Sequence, residues 1–484
     1  SLSIKLIMSK PYHVKTFLHL QPSARYNSIM STKPLAIVIL AAGQGTRMKS
    51  DKPKVMHTLA GLPMVNWVLK TAESLRPEKI VVVVGPEMKE LEQAVKPHAT
   101  VVQPVRNGTA GAVREALPLL EGFKGDVLVL LGDTPLLRAE TLQALIDLRH
   151  DNLLTGLTVL GAALRNPQGY GRLVMEKDGT LSRIVEDKDA TAKERENNRV
   201  NIGAFCLDGA RLGSWLRRVE NQNAQGEFYI TDIPAIAARE GAATRVYICE
   251  DESEVQGCNA RGDLAKLEFT LQQRLRAAAL ENGVTLLDPA SVYFSHDTRI
   301  AADVVIEPNV FFGPAVEVAS GVRIKAFSHI EGAKISKNVS VGPFARLRPG
   351  TAIGEDSRIG NFVEIKQSTI GPRSKINHLA YVGDCTMAED VNFSAGAITV
   401  NYDGFEKHQT HIGKGVMVGS NVNLVAPVTI DDGAFIAAGS TITENVPADS
   451  LSIARDTAKI RQGWAAEYRK RKAAIAKKLG KKKK

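Results

Sequence analysis

The chain has 484 residues, 44% hydrophobic and 24% charged, which suits roughly two to four soluble domains with ordinary cores. Its net charge of +10 sits at the ends. Residues 1–33 hold five basic and no acidic side chains, and residues 456–484 hold twelve basic and two acidic, which leaves the body near −5. That distribution argues against a nucleic-acid-binding face on a folded domain. The four scattered cysteines (Cys206, Cys249, Cys258, Cys385) form no CxxC pair, which fits a reducing cytoplasm and argues against a structural zinc site. No apolar run approaches a membrane span, so no membrane partner is expected.

Residues 1–33 lack the apolar core of a secretory signal. Their acid-free composition faintly resembles an organellar transit peptide, but Met30 before Ser31-Thr32-Lys33 reads as a natural start, so this leader is expected to be disordered or not native. The run 35–42, Leu-Ala-Ile-Val-Ile-Leu-Ala-Ala, then predicts a strand buried on both faces of a parallel sheet. Ile80–Val84 and Val127–Leu131 predict further buried strands with helical patterns between them, hence an α/β domain over 34–260 with its site at the strand C-termini.

The glycine-rich segment Leu40-Ala41-Ala42-Gly43-Gln44-Gly45-Thr46-Arg47-Met48 follows the first strand. Small residues there let backbone N–H groups approach a polyphosphate, and Arg47 and Lys54 supply charge against phosphate repulsion. It is neither GxxxxGK[ST] nor GxGxxG, and a glycine turn alone is weak evidence. With Lys52-Pro53-Lys54, however, it resembles the signature of nucleoside-diphosphate-sugar pyrophosphorylases. Leu131-Gly132-Asp133-Thr134-Pro135-Leu136, Tyr170-Gly171-Arg172, Ile184-Val185-Glu186-Asp187-Lys188-Asp189, Asn201-Ile202-Gly203, Gln225 to Asp232 and Val255-Gln256-Gly257-Cys258-Asn259 follow in family order.

The specific resemblance is to the bacterial bifunctional family of N-acetylglucosamine-1-phosphate uridylyltransferases and glucosamine-1-phosphate acetyltransferases, over about residues 34–465. It implies a Rossmann-like nucleotidyltransferase domain in which Asp133 and Asn259 hold Mg²⁺ and UTP lies over Leu40, Ala41, Ala42 and Gly43. Arg47 and Lys54 would be catalytic; Gln103, Gly108 and Thr109 would read uracil; Gly171, Glu186 and Asn201 would hold the sugar. In one departure, the family's histidine after Gly108-Thr109 is replaced by Gly111.

Leu264, Leu267, Leu271 and Leu275 recur at helical spacing and predict a linker helix within 261–285. From Ile300 to Ile442 an aliphatic residue recurs every six positions: Ile300 to Ile330, Ile335 to Ile365, then Ile370, Ile376, Val382, Ala388, Ser394 and Val400, and finally Ile412 to Ile442. Period six belongs to neither a helix nor a simple strand; it predicts a coil of parallel strands over 286–455. The resemblance to hexapeptide-repeat proteins implies a left-handed parallel β-helix. Residues 456–484 read as a basic C-terminal tail with a mobile lysine-rich end from Arg469.

The break at 401–411 reads as a loop ejected from the coil, and such insertions mark binding faces. Acetyl transfer to an amine needs a base, a cationic grip on phosphate and donors for an oxyanion. His378 suits the base, and Arg348 and Lys366 suit the phosphate. Asn361 to Lys366, His378 to Asp384 and Asn401 to Gly404 resemble the acetyltransferase half of the same family. The resemblance implies that Arg348, Lys366, Tyr381 and Asn392 bind the amino-sugar phosphate. It places Ala395, Asn401, Tyr402, Lys407, Ser420, Ala438 and Arg455 along acetyl-CoA, and implies a homotrimer whose neighbouring coil completes the site. Ser394 stands where the family has glycine at a tight corner.

The expected function is acetylation of glucosamine 1-phosphate followed by uridylyl transfer from UTP to N-acetylglucosamine 1-phosphate, making UDP-N-acetylglucosamine for cell-wall and lipopolysaccharide precursors. The nearest alternative is a monofunctional sugar-1-phosphate nucleotidylyltransferase with a structural β-helix. A zinc β-helix anhydrase would need histidines converging across coils, which His329, His378, His408 and His411 do not offer in their spacing. A non-catalytic guanine-exchange scaffold would not need Lys54, Asp133 and Asn259 together.

Overall fold

The computed structural model describes residues 33–478. The leader up to residue 32 and the last six residues, 479–484, lie outside the described residues. Two compact units result: one runs to Ala302 and takes in Phe311–Val316, the other comprises Asp303–Val310 and Glu317 onward.

The N-terminal unit is built on a sheet whose strand order is Ala243–Cys249, Thr155–Ala163, Arg199–Asp208, Asp126–Leu131, Leu35–Leu40, Lys79–Val84, Ala99–Val102. The sheet is mixed: Arg199–Asp208 runs antiparallel to both neighbours, and the other pairs in this row are parallel. The three apolar runs read from the sequence are its centre, with Leu35–Leu40 between Asp126–Leu131 and Lys79–Val84. Alternate residues of these strands enter separate cores on the two faces: Ile37, Ile39 and Leu130 on one, Ala36, Val38 and Val129 on the other. This burial on both faces explains why the strands lack a polar alternation.

The helix Arg261–Glu281 matches the leucine spacing. Leu267 and Leu271 are buried with Met48, Leu59, Met64 and Leu136, so the helix packs on the unit that carries the glycine-rich segment.

The C-terminal unit is a parallel β-helix. One column of parallel pairs climbs through Val305–Ile306, Arg323–Ile324, Ser340–Val341 and Arg358–Asn361, with register steps Ile306↔Ile324, Ile324↔Val341 and Val341↔Ile359. Each step of 17 or 18 residues is one three-sided coil. The hexad residues from Ile306 to Val382 are buried, usually with a second aliphatic two positions earlier, such as Val322 before Ile324 and Val339 before Val341.

The expected register fails in one coil. Met387, Phe393 and Thr399 fill the axis there, whereas Ala388 and Ser394 are half-buried and Val400 is exposed. A hexad has therefore lost a residue between Val382 and Met387. The larger Met387 and Phe393 fill the interior, which favours volume over the aliphatic count.

At one corner, Phe327, Phe344, Phe362 and Leu379 recur once per coil, each with a left-handed backbone. That conformation costs a non-glycine residue about 1–2 kcal/mol. The phenylalanine rings stack face to face, 4.9 and 5.1 Å between centroids, which returns about 0.5–1.5 kcal/mol per pair. They nonetheless remain half exposed on the isolated chain.

Within the basic tail Trp464–Lys478 is an α-helix, and the rest of the lysine-rich end lies outside the described residues. The helix contains no glycine or proline and is rich in alanine, lysine and arginine, all strong helix formers, and Trp464 stacks on Tyr468 one turn later.

Candidate active sites

In the N-terminal unit the glycine-rich segment leaves the sheet at Leu40 and its loop closes with the short turn Thr46–Met48. Gly45 is left-handed there, and a Cβ on it would overlap Lys54, so this glycine is required by close approach. The next turn, Lys54–Met56, carries Lys54 back toward the end of the neighbouring strand. Lys54 Nζ bonds Asp133 Oδ2 and lies 3.4 Å from Asn259 Oδ1, to which Arg47 Nη2 also donates at 2.7 Å. Four expected residues, separated by as much as 212 positions, thus share one point.

The oxygens of Asp133 and Asn259 converge on a cation, the Lys54 ammonium. Two such hard oxygens, completed by phosphates and water, suit Mg²⁺, which needs no all-protein cage. Among the described residues no group of three or more His, Cys, Asp or Glu gathers for a metal.

Gln103 is buried, its Nε2 donating to Asn107 Oδ1 and Gly108 O, both at 3.1 Å. Gly108, at φ 103°, caps the helix Thr109–Ala116, and Thr109 Oγ1 accepts from Ile230 N at 3.0 Å. At Gly111 a Cβ would overlap Asn107 Oδ1, so a larger residue there would require the Asn107 side chain to move.

Gly171, Glu186 and Asn201 also meet. Asn201 N donates to Gly171 O at 2.8 Å, and a Cβ on Gly171 would stand 3.6 Å from the Glu186 carboxyl. Thr231 donates to Glu186 Oε1 at 2.9 Å, while burial, and then the charges of Asp189, Asp187 and Glu227, raise the Glu186 pKa. Burial pushes neighbouring Asp232 up to about 6. This partly buried cluster is acidic, suited to accepting hydrogen bonds from hydroxyl or amide groups. Thr231 lies within the Gln225 to Asp232 motif, and only its contact with Glu186 marks it as part of this site.

On the β-helix, Arg348 Nη1 bonds Glu364 Oε1 at 2.8 Å. The Lys366 pKa is lowered, first by its hydrogen bond with Lys407 and then by burial and the charges of Lys407 and Arg348. Arg348, Lys366 and Lys407 therefore form one cationic cluster, although Lys407 lies in the ejected loop. That loop is a compact hairpin: Tyr402 bridges Lys407, and Asp403 accepts from the backbone of Phe405 and Glu406 and from His408. Asn401 is buried and donates to Asp384.

His378 is exposed at the end of Lys375–His378, with Nδ1 2.8 Å from Asn361 Oδ1. Tyr381 and Asn401 both approach Gly383, where a Cβ would crowd them. Asn392 Nδ2 donates to Ser394 Oγ at 3.0 Å. Ser394 needs no left-handed φ, since the corner falls at Gly396. Ala395 O accepts from Asn421 N, Ser420 O from Gly439 N, and Arg455 Cδ lies 3.9 Å from a Cβ on Gly439. Ala395, Ser420, Ala438 and Arg455 thus follow one another up consecutive coils, a track for an elongated ligand. Asn361 stood in the motifs without an assigned role, and its place one coil before His378 was the available signal.

Residues 37–163 match the model of the MobA-like NTP transferase domain, and residues 332–367 and 409–444 match the bacterial transferase hexapeptide repeats. The chain is 50% identical over 445 residues to the bifunctional protein GlmU of Paramagnetospirillum magneticum, covering 92% of this chain and 99% of that one. The bifunctional protein GlmU of Zymomonas mobilis is 47% identical over 91% of this chain and 98% of its own length. The chain belongs to the bifunctional GlmU family. A Synechococcus GlmU, 45% identical over 89% of this chain and 99% of its own, shows the same full-length match. As a GlmU-family member the chain is an enzyme that joins a nucleotidyltransferase to a hexapeptide acetyltransferase. Among the described residues no helix is long and apolar enough to cross a membrane.

Proposed function

We propose that this cytoplasmic enzyme makes UDP-N-acetylglucosamine in two steps at two sites: it acetylates glucosamine 1-phosphate with acetyl-CoA on the β-helix, then transfers UMP from UTP to the product in the N-terminal unit. The convergence of Arg47, Lys54, Asp133 and Asn259 on one point carries the second step. It also weighs against a non-catalytic scaffold.

For uridylyl transfer, the Leu40-Ala41-Ala42-Gly43 backbone receives the triphosphate, and Arg47 and Lys54 offset the charge that builds when the sugar phosphate attacks the α-phosphorus. Asp133 and Asn259 would hold Mg²⁺, which supplies Lewis-acid screening of the phosphates. Gln103, Gly108 and Thr109 select the base by hydrogen bonds; Gly171, Glu186 and Asn201 hold the sugar. Pyrophosphate leaves.

For acetyl transfer, Arg348, Lys366, Tyr381 and Asn392 seat the sugar phosphate, with Lys407 adding charge from the hairpin. The cofactor lies along Ala395, Asn401, Tyr402, Ser420, Ala438 and Arg455. His378 Nε2 removes the proton from the amine as nitrogen attacks the thioester carbonyl, and the C–S bond breaks to release CoA thiol. The half-exposed stripe Phe327, Phe344, Phe362 and Leu379 ends beside His378 and supports a homotrimer in which a neighbouring coil covers that corner.

The test is separation of function. His378→Ala should abolish acetyl transfer and leave uridylyl transfer, and Asp133→Ala should do the reverse. Loss of both activities in either folded variant would overturn the division.

A further inference from the structure

We propose that Asn361 is a positioning residue for acetyl transfer, fixing the tautomer and ring orientation of His378 so that the reaction runs on an Asn–His pair. The inference rests on the reading of His378 as the base.

The strands Arg358–Asn361 and Lys375–His378 are neighbours on successive coils, in parallel register with Asn361 opposite His378. Leu379 N donates to Asn361 O at 3.0 Å, which pins the backbone on the far side of His378. The side chains then meet directly, Asn361 Oδ1 to His378 Nδ1 at 2.8 Å.

An amide oxygen only accepts, so the ring must present Nδ1–H to it. A neutral imidazole carries one N–H, which leaves Nε2 with its lone pair and aimed away from Asn361. That is the form a base needs, and the opposite tautomer would present an N–H to the amine. The ring is exposed, so packing on its own chain does not fix its χ angles and the hydrogen bond must.

The charged residues on the two paired strands are Arg358 and Lys375, set opposite each other at the strands' other ends. His378 enters no ion pair among the described residues, and Asn361 is the recorded polar partner of its ring. An uncharged acceptor orients the ring without the added negative charge that would hold the imidazolium and hinder proton release. The same site with aspartate would orient equally well but shift the titration.

The experiment measures acetyl transfer against pH for Asn361→Leu, Asn361→Asp and His378→Ala in the full-length protein, with circular dichroism and thermal unfolding as the folding control. Asn361→Leu should lower kcat about 10- to 100-fold with KM values within about threefold. Asn361→Asp should keep activity within about tenfold and move the acid limb of the kcat/KM profile up by about one pH unit. Wild-type rates in Asn361→Leu, with His378→Ala inactive, would overturn this inference alone. An inactive Asn361→Asp beside an active Asn361→Leu would also overturn it, since the amide nitrogen would then face the ring. Full activity in His378→Ala would overturn the base assignment and the pair together.

Discussion

A Cβ on Gly111 would overlap the side-chain oxygen of Asn107, the same oxygen that accepts from Gln103 Nε2. A larger residue at position 111 would have to displace the Asn107 side chain. Asn107 occupies that space and accepts from Gln103, the glutamine we propose reads the base. Gly111→His should therefore lower uridylyl transfer about 10-fold or more through misplacement of Gln103, and Asn107→Ala in the same chain should recover most of it. Steady-state kinetics with UTP on the two single variants and the double variant measure the coupling. Additive losses would contradict it.

Asp133→Ala removes the carboxylate that Lys54 bonds. We expect a loss of about 10²-fold or more in uridylyl transfer and a raised Mg²⁺ requirement, with acetyl transfer unchanged. Titrating Mg²⁺ against initial rate in the variant and the parent provides the check.

Lys366 has a pKa below that of an ordinary lysine because of its hydrogen bond with Lys407, then burial and the charges of Lys407 and Arg348. The sign follows directly: as pH rises, Lys366 loses its proton earlier than a free lysine, and its grip on phosphate weakens earlier. KM for glucosamine 1-phosphate should climb on the alkaline side. Lys407→Gln should raise KM at neutral pH yet move that climb to higher pH, because Lys366 regains its proton affinity. A KM profile in Lys407→Gln that rises at the same pH as the parent would disprove the coupling.

Phe344 lies in the middle of the stacked stripe, 4.9 Å from Phe327 and 5.1 Å from Phe362. Phe344→Glu should shift the protein toward monomer in light scattering and lower acetyl transfer while sparing uridylyl transfer. An unchanged mass would remove the stripe from the assembly.

The fold was legible where one periodicity ruled. Leu35–Leu40, Lys79–Val84 and Asp126–Leu131 announce buried strands because both faces are apolar, and the helix Arg261–Glu281 announces itself by its leucines. The six-residue period gave the coil. It misled at Ala388, Ser394 and Val400, because a one-residue deletion can be placed at several points when small residues are tolerated on either side. Burial of Met387, Phe393 and Thr399 decides the point. Met387→Ala should accordingly cost about 2–5 kcal/mol in denaturant unfolding, and Ala388→Ser should cost little.

The site was legible as motifs but not as contacts. The resemblance already set Lys54, Asp133 and Asn259 at one site, but their direct contacts come only from the fold. It pointed to Lys366 and Lys407 for different ligands, whereas the hairpin sets them side by side. The Asn361 partner of His378 and the Thr231 partner of Glu186 depend on strand register and loop closure, which residue spacing does not specify.

The most direct test of two sites on one chain supplies glucosamine 1-phosphate, acetyl-CoA, UTP and Mg²⁺ to the purified protein and follows the products by mass. The account predicts N-acetylglucosamine 1-phosphate followed by UDP-N-acetylglucosamine and pyrophosphate, with His378→Ala blocking the first product and Asp133→Ala accumulating it. Absence of any acetylated sugar phosphate from the parent protein would contradict the account.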